Sequence, residues 1–132
     1  MPDQNMRILV VDDFQTMRRI VRGVLKDIGF TNVVEADNGV RALEVLKTEK
    51  IDFIVSDWNM PEMSGLDLTK WVRANQQFAE IPILMITTRG NKEDVIEAMK
   101  MRVNNYIVKP FTAPGLKEKI DQILKTVGTG AA

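Results

Sequence analysis

Five polar residues stand at the ends of apolar runs, where side chains able to do chemistry interrupt the pattern of a buried core. Asp12 and Asp13 follow ILVV, Asp57 ends IDFIVSD, Thr87 ends PILMIT, and Lys109 follows NYIV. Two adjacent carboxylates at the end of a buried strand repel each other and gain nothing from burial. Their presence therefore needs an explanation that core packing does not supply.

The residue types indicate a site for a divalent cation. Three carboxylates close together repel one another and their pKa values rise, unless a cation is present to favour the ionised forms. Oxygen ligands without histidine or cysteine suit Mg²⁺, or Mn²⁺. Calcium is less well matched, because the sequence contains no EF-hand loop.

The same set of residues suits phosphoryl transfer to a carboxylate. An aspartate beside a metal can attack a phosphoryl group and form an aspartyl phosphate. The transferring group is negatively charged, so Lys109 would supply a fixed cation and Thr87 a hydroxyl donor. We expect Asp57 to be the acceptor, because it stands alone on a central strand, whereas the Asp12–Asp13 pair suits the metal.

Each of these residues alone also has an ordinary structural explanation. Asp13 suits the N-cap of a helix, and Asp57 begins DWNMPEMSG, a stretch rich in turn-forming residues. Thr87 fits as a β-branched strand residue, and Lys109 as a solvated charge. All five together at one edge of a sheet are poorly explained in this way, so the combination carries the functional prediction.

Alternating apolar patterns predict the elements that bring these residues together. Apolar runs predict strands at 8–11, 33–36, 51–57, 82–87 and 105–108. Helical spacing predicts one helix after each strand, five in all, of which the first stops at Gly29, the fourth contains Val95, Ile96 and Met99, and the last reaches Val127. This alternation predicts an α/β fold, a five-stranded parallel sheet flanked by helices on both faces. The strand ends then share one edge, where open α/β sheets bind ligands.

Composition restricts the classes of function. The 132 residues predict a single domain over 1–132, with an ordered core of about 6–127 and a frayed tail. Lys plus Arg and Asp plus Glu both total 18, so we expect no binding to nucleic acid or membranes. Without histidine or cysteine, disulfides are excluded and histidine chemistry must come from a partner. We expect a cytoplasmic protein without a secretory signal, membrane span or effector domain.

Two further patterns are expected to be structural. Arg18, Arg22 and Lys26 lie at helical spacing, which predicts a solvated cationic face, with docking of an acidic partner as the weaker alternative. Met85 and Met99 are expected in the core rather than against a cofactor.

Four stretches carry a resemblance to a known family. They are LVVDDFQTMRRIVRGVLKDIGF (9–30), SDWNMPEMSG (56–65), PILMIT (82–87) and YIVKPF (106–111). On these stretches the chain resembles the receiver domains of two-component response regulators, specifically the CheY-like single-domain type of chemotaxis. The resemblance implies the flavodoxin-like (βα)5 receiver fold with the strand order 2-1-3-4-5, for which receivers of this type are a standard example.

The resemblance implies a set of site residues. Asp57 would accept a phosphoryl group from a histidine kinase of CheA type, which fits the absence of histidine in this chain. Asp12, Asp13, Asp57 and the backbone carbonyl of Asn59 would hold Mg²⁺. Lys109 would contact the phosphoryl group, and the Lys109–Pro110 bond would be cis.

The resemblance also implies a switch and its partners. Thr87 would turn toward the phosphate and Tyr106 would swing inward, remodelling the face of the fourth helix, fifth strand and last helix. That face would bind the kinase and a flagellar switch protein of FliM type, and a phosphatase is a further expected partner. We expect a monomer that is not an enzyme, except toward its own phosphorylation and dephosphorylation.

The chain departs from the CheY-like pattern around that face. Where CheY-like receivers usually have Ala after the switch threonine, this chain has Thr88 followed by Arg89. A usual Gly-Ala pair near the end of the fourth helix is replaced by Arg102–Val103. A β-branched residue could crowd the switch, and a bulkier, more cationic surface could reject a helical partner. We therefore expect intact phosphorylation chemistry with switch binding weakened or redirected.

Three other functions compete with this one. A Mg²⁺-dependent hydrolase of the haloacid-dehalogenase type needs D-x-D after the first strand, whereas this chain has adjacent aspartates and a separate Asp57. An FMN-binding flavodoxin needs a hydroxyl-rich and amide-rich phosphate loop there, and two carboxylates would repel phosphate. A stand-alone receiver outside chemotaxis, or one that only drains phosphate from a shared kinase, differs in partner alone and stays open.

Overall fold

Five strands and five helices alternate along the residues that the computed structural model describes, which are 5–60, 62–88 and 91–131, with side chains up to residue 125. The strands are β1 (Ile8–Val11), β2 (Val33–Ala36), β3 (Phe53–Asp57), β4 (Ile83–Thr87) and β5 (Asn105–Val108). The helices are α1 (Gln15–Ile28), α2 (Gly39–Thr48), α3 (Gly65–Ala74), α4 (Lys92–Lys100) and α5 (Ala113–Ala131). All ten predicted elements are confirmed, and α5 continues past Val127 into the stretch expected to fray.

The strands form one parallel sheet in the order β2-β1-β3-β4-β5, which confirms the order implied by the resemblance. The register aligns the carboxyl ends of the strands: Val11 pairs with Ser56, and Thr87 pairs with Val108. β3 is the central strand, with β1 and β4 on either side, and every residue of these three strands is buried. The loops that follow β1, β3, β4 and β5 therefore meet at one edge.

Each face of the sheet carries its own hydrophobic core. Alternate strand residues such as Ile8 and Val10 pack with α1 and α5, while Leu9 and Val11 pack with α2, α3 and α4. This alternation follows from the two-residue period of a strand, which sends successive side chains to opposite faces. None of the helices in the described ranges has both the length and the hydropathy that crossing a membrane requires.

Local hydrogen bonds fix the helices that begin beside the site. The Asp12 carboxylate accepts from the Phe14 amide at 2.9 Å, so the turn after β1 is closed before α1 begins. Ser64 and Asp67 form a capping box at the start of α3, in which each side chain accepts from the other residue's amide. These two helix starts therefore hold their loops close to the sheet edge.

The packing of α4 differs from the sequence prediction. Ile96 and Met99 are 44% and 49% exposed, so the expectation that Met99 lies in the core is wrong, whereas Met85 is fully buried as expected. In α4 Ala98 is the buried residue and Val95 is half-buried. The apolar spacing of α4 predicted the helix but not the side of it that the sheet covers. The side chain of Val127 lies outside the described residues.

Candidate functional site

The structure brings the polar strand-end residues together at one edge of the sheet, as the parallel arrangement predicts. Asp12 and Asp13 directly follow β1, Asp57 ends β3, Thr87 ends β4, and Lys109 directly follows β5. Within the described residues, the three aspartates each offer a carboxylate oxygen, and these oxygens lie within 4.8 Å of one another. Asp12 and Asp57 are buried, while Asp13 is exposed, so the cluster opens to solvent on one side.

Lys109 reaches across β4 to the acidic cluster. Its Nζ lies 3.1 Å from Oδ1 of Asp57 and 3.6 Å from Oδ2 of Asp12. Its amide donates to the carbonyl oxygen of Thr87 at 2.7 Å, which ties the loop after β5 to the end of β4. The Lys109–Pro110 peptide bond is cis, as the resemblance implies. The ammonium group thus stands between two of the carboxylates.

Burial and crowding raise the pKa of two carboxyl groups in the cluster. Burial raises the pKa of Asp12 above its ordinary value, the Phe14 amide opposes this, and the charge of Asp57 adds to it. Burial likewise raises the pKa of Asp57, although the hydrogen bond and the charge of Lys109 lower it. The ammonium of Lys109 therefore offsets only part of the free-energy cost of burying the ionised Asp12 and Asp57 side chains. A further cation would offset more of this cost.

The donor set fits a small divalent metal ion. The three carboxylates supply only oxygen ligands, which Mg²⁺ and Mn²⁺ prefer, and one carboxylate lies exposed where water can complete the coordination. Asn59, whose carbonyl was expected to join them, lies in the loop two residues after Asp57 and is exposed. The acidic cluster could therefore hold a metal ion at the edge of the sheet.

The backbone at Asp57 is enclosed by α3, a feature that sequence reasoning missed. A Cβ on Gly65 would collide with the carbonyl oxygen of Asp57 and come within 2.7 Å of Sδ of Met85. The Gly65 amide donates to the carbonyl of Trp58 at 2.8 Å, which requires this close approach. Sequence reasoning treated Gly65 as one of several turn residues, although its position directly after the cap Ser64 was a usable signal.

The two expected switch residues lie on the neighbouring strands β4 and β5. Thr87 is 1% exposed at the end of β4. Tyr106 is half-buried on β5 and packs against the core on the α2, α3 and α4 face. Nζ of Lys119, from α5, lies 5.5 Å from the centre of the Tyr106 ring. Tyr106 therefore connects the core with the surface formed by β5 and α5.

The four residues expected to set partner specificity have different surroundings. Thr88 and Arg102 are exposed, and Arg89 lies outside the described residues. Val103 is 3% exposed and packs in the core beside α4, which corrects the expectation that it enlarges the surface. Arg102 has a φ of 66°, the left-handed conformation in which glycine is least strained.

Comparisons with known proteins agree with this geometry. The response regulator receiver domain family matches residues 8–121. The chemotaxis protein CheY-3 of Vibrio cholerae is 54% identical over 123 residues, which cover 93% of this chain and 95% of that protein. The chemotaxis protein CheY of Pseudomonas aeruginosa is 52% identical over 122 residues, covering 92% and 98%. The solved structure of the chemotaxis response regulator CheY4 of Vibrio cholerae has a TM-score of 0.84 at 34% identity, covering 90% and 98%.

Proposed function

Because the chain belongs to the response regulator receiver domain family, with chemotaxis CheY proteins as its relatives, we propose that it accepts a phosphoryl group on Asp57. The donor is a phosphohistidine of a CheA-type kinase, which fits a chain without histidine of its own. One observation carries the proposal: Asp57 lies within 4.8 Å of two further carboxylates and 3.1 Å from an ammonium group. This is a nucleophile with the charges that phosphoryl transfer requires.

The residues suited to hold Mg²⁺ are Asp12, Asp13, Asp57 and the carbonyl of Asn59. When bound, Mg²⁺ would neutralise charge on the transferring phosphoryl group and favour the ionised form of Asp57. Support comes from the donor chemistry, since the three carboxylates converge and two of them are buried. The burial raises the pKa of Asp12 and Asp57, and this is the cost that a divalent cation would remove.

The chain's own groups account for the transfer step. A carboxylate oxygen of Asp57 attacks phosphorus as the bond from phosphorus to the kinase histidine nitrogen breaks, and that nitrogen leaves with the electron pair. Lys109 stays beside the same carboxylate and balances the negative charge of the phosphoryl oxygens. Thr87, at the end of the adjacent strand, offers a hydroxyl donor to one of these oxygens. Water later hydrolyses the aspartyl phosphate, and no activity beyond these two reactions is proposed.

Phosphorylation is proposed to act on the face formed by α4, β5 and α5. Contacts of Thr87 with the phosphoryl group favour an inward position of Tyr106, which shifts the population of this face between two states. Exposed Ile96 and Met99 on α4, with Val108 on β5, offer apolar area to a helical partner. The proposed partners are a FliM-type flagellar switch protein, the kinase and a phosphatase. We propose that the protein binds them as a monomer in the cytoplasm.

One observation favours a second candidate, a receiver that binds the switch protein weakly or not at all. Thr88 and Arg102 are exposed near this face and differ from the CheY-like pattern. Such a protein would accept phosphoryl groups from the kinase without acting on the flagellar switch, or it would regulate another partner. The hydrolase and flavodoxin alternatives lose their basis, because the receiver family matches residues 8–121.

The proposal is tested by incubating the protein with acetyl phosphate and Mg²⁺ and measuring its intact mass. We expect one added phosphoryl group that disappears in Asp57→Asn and when Mg²⁺ is removed by chelation. Asp52→Asn is the matched control, since Asp52 precedes the same strand at the opposite edge, where it accepts from the Arg7 amide at 2.9 Å. A wild-type protein that gains no Mg²⁺-dependent phosphoryl group would contradict the proposal.

A further inference from the structure

Arg18 makes a contact with the acidic loop that its position on a helix face did not predict. Its Nη1 donates to the carbonyl oxygen of Asp12 at 2.6 Å. Its side chain is only 15% exposed, so the expectation of a solvated residue is wrong for Arg18. The guanidinium therefore belongs to the surroundings of the loop that carries Asp12 and Asp13.

A carboxylate on the edge strand fixes the Arg18 side chain in this position. Nε of Arg18 donates to Oε1 of Glu35 at 3.0 Å, and Nη1 of Arg22 donates to Oε2 at 2.8 Å. Glu35 lies on β2, where it pairs in register with Val10 of β1. The Arg18 guanidinium therefore donates hydrogen bonds both to Glu35 on the sheet and to the Asp12 carbonyl.

The Asp12 carbonyl belongs to the peptide group that joins the two adjacent aspartates. The rest of Asp12 is already fixed, since its amide donates to the Ala36 carbonyl at 3.1 Å and its carboxylate accepts from the Phe14 amide at 2.9 Å. The described residues donate no hydrogen bond to the carboxylate of Asp13. The contact with Arg18 therefore restrains the peptide group from which the Asp13 residue extends.

We propose that Arg18 is a positioning residue, which holds the Asp12–Asp13 peptide so that both carboxylates face a common divalent cation. Repulsion among three carboxylates favours displacement of the exposed Asp13 away from the other two. The bond from Arg18 restrains the peptide group before Asp13 and so limits displacement of its backbone. This inference rests on the proposed function, because it concerns the same Mg²⁺ site.

The test measures Mg²⁺ affinity in the unphosphorylated protein, without any transfer reaction. Mg²⁺ is titrated in a Trp71→Phe background, in which the fluorescence reports on Trp58, the residue after Asp57, and calorimetry provides a second readout. Arg18→Met keeps the length of the side chain and removes its donors. Arg22→Met is the matched control, because Arg22 shares Glu35 but is described in no contact with Asp12. Circular dichroism and urea unfolding check that each variant is folded.

We expect Arg18→Met to weaken Mg²⁺ binding by about tenfold, the lower range for residues that orient metal ligands. Arg22→Met should stay within about twofold of wild type, since it leaves the Asp12 carbonyl bond in place. The sign of the change in Mg²⁺ affinity distinguishes a positioning role from a simple charge effect. Removing a positive charge near carboxylates would by itself tighten cation binding, whereas loss of positioning weakens it. Arg18→Lys keeps the charge but cannot hold both partners, so it should give an intermediate affinity.

Two outcomes have distinct meanings. If wild type binds Mg²⁺ and both Arg18 variants bind it equally or more tightly, the positioning role is overturned while the proposed function stands. If wild type binds no Mg²⁺, the proposed function itself fails. Should Arg18→Met not fold, the comparison of Arg18→Lys with Arg22→Met decides the question.

Discussion

At the scale of single residues, the site is dominated by the cost of placing carboxylates together. Asp12 and Asp57 are 3% and 6% exposed, and Lys109 approaches both of them. Their pKa values are nevertheless raised above the ordinary value, because burial outweighs the nearby ammonium charge. The folded protein therefore carries an electrostatic cost at neutral pH that the unfolded chain does not have.

Removing one of these charges should stabilise the metal-free protein. Asp12→Asn retains an oxygen acceptor for the Phe14 amide and leaves Lys109 paired with Asp57. We expect its unfolding free energy at pH 7 to rise on the order of 1 kcal/mol without Mg²⁺, the scale of a typical single substitution. With saturating Mg²⁺ this advantage should shrink or reverse, because wild type gains binding energy that the variant lacks. Urea unfolding with and without Mg²⁺ measures both effects.

The pH dependence of stability provides a check on the same cause. A carboxyl group with a raised pKa binds its proton more tightly in the folded state, so unfolding releases protons between pH 3.8, the ordinary pKa value, and the raised pKa of the folded state. The unfolding free energy of metal-free wild type should therefore receive a contribution that falls as pH rises above 3.8. The fall should be smaller in Asp12→Asn, which lacks one of the two carboxyl groups. Equal slopes in wild type and Asp12→Asn would contradict this explanation.

At the scale of elements, the turn between α4 and β5 combines a strained backbone with a set of arginine contacts. Arg102 adopts a φ of 66° at the end of α4. The guanidinium of Arg73, on α3, donates to the Arg102 carbonyl from Nε at 3.1 Å and from Nη2 at 2.9 Å. It also donates to the Ile81 carbonyl at 2.6 Å, which joins α3 to the segment before β4. These contacts engage the backbone of Arg102 and so hold an unfavourable conformation in place.

Replacing Arg102 by glycine should stabilise the protein. The left-handed conformation costs a residue with a Cβ about 1 kcal/mol, and glycine adopts it freely. The bonds from Arg73 are retained, because they end on the main-chain carbonyl. We expect Arg102→Gly to raise the unfolding free energy by about 1 kcal/mol from relief of strain. Part of this gain is offset, because glycine increases the conformational entropy of the unfolded chain.

Arg102→Ala is the matched control for this prediction. It removes the same charge and side chain but keeps the Cβ, so the strain persists and little stabilisation is expected. If alanine stabilises as much as glycine, repulsion between Arg102 and Arg73 is the cause instead of the backbone. Burial, and after it the charge of Arg102, lower the pKa of Arg73, which is the direction that such repulsion gives.

The elements themselves were predictable, but the exposure of their side chains was only partly so. Strand and helix positions follow from apolar spacing, which is a local property of the chain. The exposure of Ile96 and Met99 depends on which side of α4 faces the sheet, and the packing of neighbouring helices decides this. Arg102 was recognised as a departure from the family pattern, but its backbone conformation was not recognised as the reason that the departure is costly.

At the scale of the whole molecule, the topology accounts for most of what the sequence predicted about the site. Parallel strands send their carboxyl ends to one edge, so residues as far apart in sequence as Asp57 and Lys109 were expected to meet, and they do. The contact between Arg18 and the Asp12 carbonyl was not predictable. It depends on a side-chain rotamer and on Glu35 of a neighbouring strand, neither of which leaves a spacing pattern.

Partner choice is also a property of the whole molecule, since the proposed function requires that phosphorylation at one edge alter the α4, β5 and α5 face. We expect the beryllofluoride-activated protein to bind an N-terminal peptide of a FliM-type switch protein about tenfold more weakly than activated Pseudomonas aeruginosa CheY does. Fluorescence titration measures the two affinities. Thr88→Ala combined with Arg102→Gly should recover part of the difference, because both changes reduce the bulk of the exposed surface.

Equal affinity of this protein and the Pseudomonas aeruginosa relative would contradict the expectation of weakened binding. It would favour direct motor control over the alternative in which the protein drains phosphate from the kinase. A double variant that binds the peptide no more tightly than wild type would exclude Thr88 and Arg102 as barriers to binding.

The order in which the strands supply the site has a consequence for biosynthesis. Asp12 and Asp13 follow the first strand and Asp57 ends the third, whereas their ammonium partner follows the fifth, 52 residues after Asp57. A ribosome therefore synthesises all three aspartates well before Lys109. The ion pairs of Lys109 with Asp12 and Asp57 can form only after the fifth strand has been synthesised, so this part of the site is completed late in synthesis of the sheet.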